Sequence, residues 1–318
     1  MTPSSPSPEA QATIVRGIVV MTIAMLIVPS MDVLAKLLTR DMPGMEVALG
    51  RFLGQFLVAG IVGVAVGEGR RLVPPNPFGH VVRGLFLAAT SLLFFTALAT
   101  MPLTDALAIA FAEPMILTAV SPWLLGERVG GRQWAACGIG FLGTLMIIRP
   151  SFEQFGTTAL LPLAAAFTFA GYHVMTRRLS GQGSLWAIQF VTGLVGSAAL
   201  AVALPVATQL GILEKAPTMP SGWSLVLFLG IGVLSFVTHG MIVKAFEFAP
   251  AAVLAPFGYL EIVSATALGF LVFGDFPDPI TWVGIGLIVA SGVTIVHHER
   301  SKGAASAMPT DGSGSGVG

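Results

Sequence analysis

Long apolar stretches separated by short polar turns run along almost the whole chain. A helix that spans a bilayer needs about 20 mainly apolar residues, and ten stretches meet that requirement. Turn residues such as Met42-Pro43-Gly44 mark the loops between them. The predicted spans are residues 17–38, 45–66, 80–100, 103–124, 132–149, 156–177, 185–207, 222–246, 250–273 and 279–297. The pattern predicts an all-α membrane protein with ten transmembrane helices.

The composition agrees with a membrane protein. Hydrophobic residues make up 54% of the 318 residues and charged residues only 10%, and the mean hydropathy is +0.85. A soluble globule of this length needs more polar surface. Nucleic-acid binding is not expected, because no basic face remains once the loop charges are assigned. The single cysteine, Cys137, excludes an internal disulfide and a thiolate metal cluster.

The two ends of the chain have a different composition. Residues 1–15 are rich in Ser, Pro, Thr and Ala and lack the basic start of a signal peptide, so we expect a disordered N-terminus and a retained first span. Residues 300–318 are rich in Gly and Ser, which predicts a disordered tail. Between them we predict two units, residues 16–150 and 151–299.

These two units repeat each other. Glu113 and Glu261 lie 148 positions apart, each halfway along an apolar stretch. The same offset pairs Pro102 with Pro250, Thr118 with Thr266, Gly126 with Gly274, Trp134 with Trp282 and Gly138 with Gly286. Because each unit holds five helices, an odd number, the second must enter the membrane from the opposite side. The sequence therefore predicts two inverted five-helix repeats.

The distribution of Lys and Arg predicts the orientation. Eleven of these residues fall on the side of the N-terminus and four on the other side, and Arg51 lies inside the second span. Cytoplasmic loops carry the excess of positive charge. We therefore expect a multi-pass protein of a bacterial-type inner membrane, with both termini in the cytoplasm.

The repeated glutamates are the strongest candidates for a functional site. Glu113 and Glu261 are predicted at the bilayer midplane, where a carboxyl must face protein or water and is a candidate for proton exchange or substrate binding. Pro114 follows the first glutamate, and Pro256 and Gly258 precede the second, so helix breaks are expected there. Carbonyl groups freed by such breaks can contact a cationic substrate. A buried, protonated structural role is the alternative for both.

A second polar group lies near one end of the first two spans. Asp32 and Lys36 share one face of a helix, and Arg51 is predicted at similar depth. We predict a periplasmic gate in which both cations compete for Asp32, with interfacial snorkelling and a static Asp32–Arg51 pair as alternatives. At an offset of 141, Asp32 aligns with His173.

Three further residues are candidates for the substrate pocket. These are His173, Trp186 and Tyr259, for which packing or interface anchoring is the competing interpretation. Lone histidines on separate helices do not support a metal site, so neither a metal nor a cofactor is expected.

Several short sequence strings, each degenerate by itself, recur in the two halves at one offset. They are Glu113-Pro114, Leu125-Gly126-Glu127-Arg128, Gln133-Trp134 and Gly138, and then Ala255-Pro256-Phe257-Gly258-Tyr259, Phe273-Gly274-Asp275, Trp282 and Gly286. With these strings, the chain resembles the EamA-type branch of the drug/metabolite transporter superfamily. The resemblance implies a metabolite transporter, usually an exporter, with a central cavity between the repeats. A carboxylate at Glu261 departs from the common family pattern.

The sequence as a whole predicts a transporter rather than an enzyme. Because it contains no nucleotide-binding motif, we expect a secondary transporter that is coupled to a gradient. It would export a small polar or amphipathic metabolite, such as an amino acid or amine, by alternating access, with Glu113 as the candidate for proton coupling. The alternatives are an importer or uniporter of a vitamin, nucleoside or other metabolite, and, more remotely, an intramembrane hydrolase whose two glutamates share a proton. The expected partners are the bilayer and the substrate, and a monomer can function.

Overall fold

The structure is a computed structural model that describes most of the chain. The described residues are 8–69, 72–101, 103–148, 156–213, 215–273, 279, 282–284, 286–287 and 289–290. Pro102, Gly274, Asp275, most of the predicted span 279–297 and the predicted tail 300–318 lie outside them. Every regular element that the structure describes is helical.

Six helices form the first half of the chain. They are α1 Pro8–Leu38, α2 Gly44–Ala65, α3 Pro77–Thr100, α4 Leu103–Ala110, α5 Glu113–Leu124 and α6 Gly131–Ile148. The second half has a 3-10 turn at Gly156–Ala159, then α7 Leu160–Arg178, α8 Leu185–Gln209, α9 Trp223–Phe248, the single turn α10 Ala251–Leu254, a 3-10 segment Ala255–Leu260 and α11 Glu261–Phe273.

Seven described segments are long and apolar enough to cross a membrane. They are Gln11–Leu38, Gly44–Ala65, Pro77–Thr100, Thr157–Arg178, Leu185–Gln209, Trp223–Phe248 and Ala251–Val272. Of the other predicted spans, 103–124 is divided between α4 and α5, and 132–149 corresponds to α6. The chain is thus an all-helical protein with multiple membrane-spanning helices.

Helix α1 corrects the prediction of a disordered N-terminus up to residue 15. The helix already begins at Pro8, where a proline is tolerated in the first turn, and Glu9 there suits the positive end of the helix dipole. The helix also packs closely against the C-terminal end of α9, because a Cβ at Gly17 would lie only 2.8 Å from Ala249 Cβ. Residues 8–15 therefore belong to the first helix.

The helices of the two halves exchange equivalent partners. The packing of α1 along α9 corresponds to the packing of α3 along α7. In the same way, the contact of α2 with α9 corresponds to the contact of α8 with α3. A close approach of Gly54 to Gly232 joins α2 to α9, and Gly84 meets Val195 where α3 joins α8. Gly84 and Gly232 are 148 positions apart, so equivalent small residues serve equivalent crossings.

Two helices are interrupted at equivalent positions. Pro114 has no N–H to donate to the carbonyl of Ala110, and the backbone between α4 and α5 closes with a tighter bond, from Ala112 N to Ile109 O at 3.1 Å. In the second half, Pro256 lies in the 3-10 segment that separates α10 from α11. After each interruption the next helix begins at the repeated glutamate, α5 at Glu113 and α11 at Glu261.

Candidate functional site: a cavity where the interrupted helices cross

The interrupted helices meet at the wall of a buried cavity. A Cβ at Gly258 would lie 3.1 Å from Pro114 Cγ, a tight contact, so the glycine favours the close approach of the two breaks. The cavity encloses about 850 Å³ of empty space, its open mouth included, and is bounded by α1, α2, α3, α7, α9 and both breaks. Residues from both halves therefore line one space.

Most of the cavity wall is apolar and adaptable. Thioether and aromatic side chains supply much of it, among them Met21, Met25, Met31, Phe94, Phe111 and Phe169. Small-molecule sites typically combine such a wall with a few placed polar groups, and methionine adjusts its shape readily. The wall suits a solute with an apolar or aromatic body.

Glu113 is held by a histidine from the other half. His173 Nδ1 on α7 lies 2.9 Å from Glu113 Oε1, and both side chains are buried and line the cavity. The imidazole is enclosed by aromatic rings, with Phe169 at 4.3 Å and Phe246 at 5.0 Å between centroids. The structure thus joins two predicted site residues in a proton-bearing pair across the two halves.

Arg51 connects three helices around the same cavity. Its Nε donates to Ser235 Oγ at 2.9 Å, and its terminal nitrogens contact Ser91 Oγ and His239 Nε2. Ser235 in turn donates to Gln55 Oε1 at 2.9 Å. The guanidinium therefore fixes α2 against α3 and α9 with its charge inside the protein.

Asp32 and Glu261 also line the cavity, at 4% and 8% exposure. Asp32 makes no ion pair within 4 Å to Lys36 or Arg51, although Arg51 is its charged neighbour. The charged neighbours of Glu261 are Asp32 and Glu113. The predicted salt-bridged arrangement of Asp32 with two competing cations is therefore not what the structure shows.

The two cations of that predicted gate have other partners. Lys36 Nζ donates to the carbonyls of Leu98 and Met101, the latter at 2.7 Å, because the C-terminus of α3 offers carbonyls without helical donors. Arg51 reaches the serine and histidine groups described above. The three residues share a region of the molecule, but each is bound separately.

At the other end of the α4–α5 pair, Arg177 repeats the contact of Lys36. Arg177 Nη1 donates to Phe246 O at 2.7 Å, and Phe246 stands 148 positions after Leu98. Glu127 accepts from Arg177 Nε at 2.9 Å and from the first backbone amides of α10, at residues 251 and 252. An acid of the first half thus binds a cation and a helix N-terminus of the second.

Trp186 and Tyr259, both predicted to wall the pocket, do not line this cavity. Tyr259 packs behind Phe111, with ring centroids 6.2 Å apart, and against Gly140. Trp186 stacks on Phe236 at 5.9 Å. In this structure both are packing groups outside the site.

Sequence reasoning did not assign Ser91, Ser235 and His239 to the site. A signal for two of them existed, because Ser91 and His239 are 148 positions apart and both contact Arg51. Their contacts span 40 and 188 positions in sequence, so no local pattern indicates them. Among the described residues, no group of three or more His, Cys, Asp or Glu could hold a metal ion.

Comparison with known families identifies the class of protein. Residues 15–149 and 156–296 each match the EamA-like transporter family. The chain therefore belongs to the EamA-like transporter family, which confirms the resemblance inferred from its repeated strings. It is a transporter of the membrane-embedded drug/metabolite type.

Several characterised relatives align with most of the chain. An S-adenosylmethionine uptake transporter of Rickettsia prowazekii is 27% identical over 92% of this chain and 97% of its own length. A riboflavin transporter of Vibrio cholerae is 30% identical over 73% and 76%. The pseudopaline exporter CntI of Pseudomonas aeruginosa is 29% identical over 88% and 95%. These relatives are bacterial transporters, which supports an inner-membrane location.

A solved crystal structure has the same fold. It is 20% identical in sequence, superposes with a TM-score of 0.75, and the match covers 90% of this chain and 99% of the other. The overall arrangement of helices is thus one that a solved protein structure already contains.

Proposed function

We propose that the protein is a secondary transporter that moves a small polar or amphipathic metabolite by alternating access around the central cavity. The observation that carries the proposal is the cavity itself, buried between the two halves where their interrupted helices cross. Ionisable groups inside a membrane protein mark substrate and proton pathways, and the site of such transporters lies at the interface of repeats. Glu113, paired with His173, is the proton-exchanging group.

The names of the relatives support a metabolite substrate and both directions of transport. They include uptake of S-adenosylmethionine and export of pseudopaline. Export was the expectation from the sequence, and import or uniport of a vitamin or similar metabolite remains the second candidate, favoured by the riboflavin transporter. The same fold is compatible with either direction of transport, because the direction of the driving gradient sets the direction of net solute movement.

The topology we propose has two inverted repeats of five spans, residues 16–150 and 151–299, with both termini in the cytoplasm. The exchanged packing partners of the two halves support the repeat, and the distribution of Lys and Arg supports the orientation. In this topology Glu127 and Arg177 close the cytoplasmic end, while Lys36 lies at the periplasmic end. Rocking of the halves requires the contacts of Glu127 to break.

A hydrolase with two glutamates sharing a proton is less consistent with the site. Such a dyad requires each carboxyl to face the other, whereas Glu113 Oε1 is engaged by His173 Nδ1. The family and its relatives are transporters. Transport therefore remains the proposal.

Transport by the purified, reconstituted chain tests the function. Radiolabelled S-adenosylmethionine, riboflavin, amino acids and amines would be presented to proteoliposomes of both orientations, with and without a pH gradient. We expect protein-dependent flux of at least one solute that responds to the gradient. No flux of any of them in either orientation would contradict the proposal.

Cysteine accessibility tests the topology independently. In a Cys137→Ser background, a cysteine replacing the exposed Arg178 should react with an impermeant reagent from the cytoplasm. A cysteine replacing Met219, which is 94% exposed, should react from outside. Labelling of both from one side would contradict the membrane crossing by α8, and labelling from the reverse sides would contradict the cytoplasmic placement of the termini.

A further inference from the structure

Two buried carboxyls that face the cavity have no hydrogen-bond or ion-pair partner among the residues that the structure describes. Asp32 on α1 and Glu261 on α11 are each more than nine-tenths buried and line the same space. Among the residues that the structure describes, neither makes a hydrogen bond or an ion pair. Helix α1 packs along α11, which places both acids on neighbouring elements.

The cations nearby are already bound elsewhere. Arg51 donates to Ser235 and contacts Ser91 and His239, and Lys36 donates to backbone carbonyls. A buried carboxylate without an ion-pair partner is unfavourable in its charged form. Arg51 is a charged neighbour of Asp32, whereas the charged neighbours of Glu261 are both acids, so a cation that enters the cavity stabilises the charged form of the two acids.

His173 leaves a further polar atom without a partner among the described residues. This side chain is 3% exposed and lines the cavity, and its Nε2 has no hydrogen-bond partner in the described structure. When Nδ1–H donates to Glu113, Nε2 carries a lone pair and accepts a hydrogen bond. That tautomer leaves one more buried acceptor unsatisfied at the cavity wall.

We propose that the substrate is an organic ammonium compound whose cationic group binds between Asp32 and Glu261. The inference rests on the proposed transport function and names the substrate class of its site. The rest of the cavity fits the body of such a compound, because thioethers and aromatic faces such as Met25 and Phe94 surround an organic cation favourably. A solute without a positive charge leaves Glu261 with only acidic charged neighbours.

A pair of probes with the same aromatic body and opposite charge tests the substrate class. Tyramine is a cation, and 3-(4-hydroxyphenyl)propionate is the corresponding anion. Binding to the purified full-length protein in detergent is measured by calorimetry and by the shift in thermal unfolding. We expect tyramine to bind and the propionate not to bind. Equal binding of both, or binding of neither, overturns the proposal.

Isosteric variants test the two acids. Asp32→Asn and Glu261→Gln should each weaken tyramine binding by about tenfold or more, since removing one member of a buried charge pair has an effect of that size. Glu9→Gln, which changes an exposed acid on α1, is the matched control and should bind as the wild type does. Wild-type affinity in both site variants overturns the proposal.

Stability without ligand separates a ligand-binding role from a structural one. Because the charged neighbours of Glu261 are both acids, Glu261→Gln should unfold at or above the wild-type temperature in the absence of ligand. A lower unfolding temperature would assign Glu261 a structural role instead.

The outcomes separate the substrate class from the transport function. Binding of tyramine without any transport in vesicles would refute the transport function alone. Transport of only uncharged or anionic solutes would refute the substrate class alone.

Discussion

Glu113 and Glu261 occupy equivalent positions in the two halves but have opposite surroundings. Each is the first residue of the helix that follows an interruption. Glu113 has a basic partner in His173, whereas the charged neighbours of Glu261 are both acids. The aligned positions Asp32 and His173, 141 apart, account for the contrast, since one half carries an acid where the other carries an imidazole.

The comparison shows that duplication preserved the backbone while the charges diverged. Helix breaks, close glycine contacts and terminal cations recur in both halves. Two glutamates with identical surroundings would have the same role. Because Glu113 has a basic partner and Glu261 has acidic neighbours, the two can have different roles. We assign proton exchange to the first and cation binding to the second.

Arg51→Gln should have the largest effect, because the one guanidinium serves both halves through Ser91 and His239. Each lost bond to a charged donor is worth about 1.5–3 kcal/mol, so we expect a clear drop in thermal stability and loss of transport. Arg51→Lys keeps the charge but not the fork of donors and should rescue only part of the stability. Full activity of Arg51→Gln would mean that the network is not needed.

Loss of the partner of Glu113 should have the next largest effect. In His173→Gln, gradient-driven accumulation should fall by about tenfold, a change of about 1.4 kcal/mol, while tyramine binding changes less. The measurement is accumulation in proteoliposomes beside calorimetric binding. An equal loss of both would show that His173 acts in binding and would remove the contrast between the halves.

The contacts of Glu127 should have a smaller, conformational effect. Glu127→Gln weakens charge-assisted bonds to Arg177 and α10, so the proposed cytoplasmic end should open more often. A cysteine at the cavity residue Ala166 should then be labelled from that side faster, by roughly three- to tenfold, for a change of about 1 kcal/mol. Glu247→Gln, which removes a pair with Lys244 on α9, is the control. An unchanged labelling rate in Glu127→Gln would show that these contacts do not hold this end closed.

Changes outside the cavity should have the smallest effect. Tyr259→Phe removes a buried hydroxyl that has no hydrogen-bond partner among the described residues, and Trp186→Phe retains an aromatic packing group. Both should transport within about twofold of the wild type, a change of about 0.4 kcal/mol, because neither side chain lines the cavity. A tenfold loss in either would place that residue in the substrate path.

Part of this site was predictable from the sequence because it depends on chain position alone. The shared offset of Glu113 and Glu261 and the nearby Pro114 predicted where the helices break, and the structure has interruptions there. The rest depends on how each helix is rotated. A helix that is apolar on all faces has no periodic pattern that fixes its rotation. The sequence therefore assigns Trp186 and Tyr259 to the pocket, although in the structure they face elsewhere.

The most direct test is the ratio of gradient-driven accumulation to solute exchange in Glu113→Gln and Glu261→Gln, measured in the same proteoliposomes. Glu113→Gln should retain exchange and lose accumulation, because the amide cannot release a proton while the binding acids remain. Glu261→Gln should lose both together through weaker binding, with their ratio unchanged. The same ratio in both variants would contradict the division of roles between the two halves.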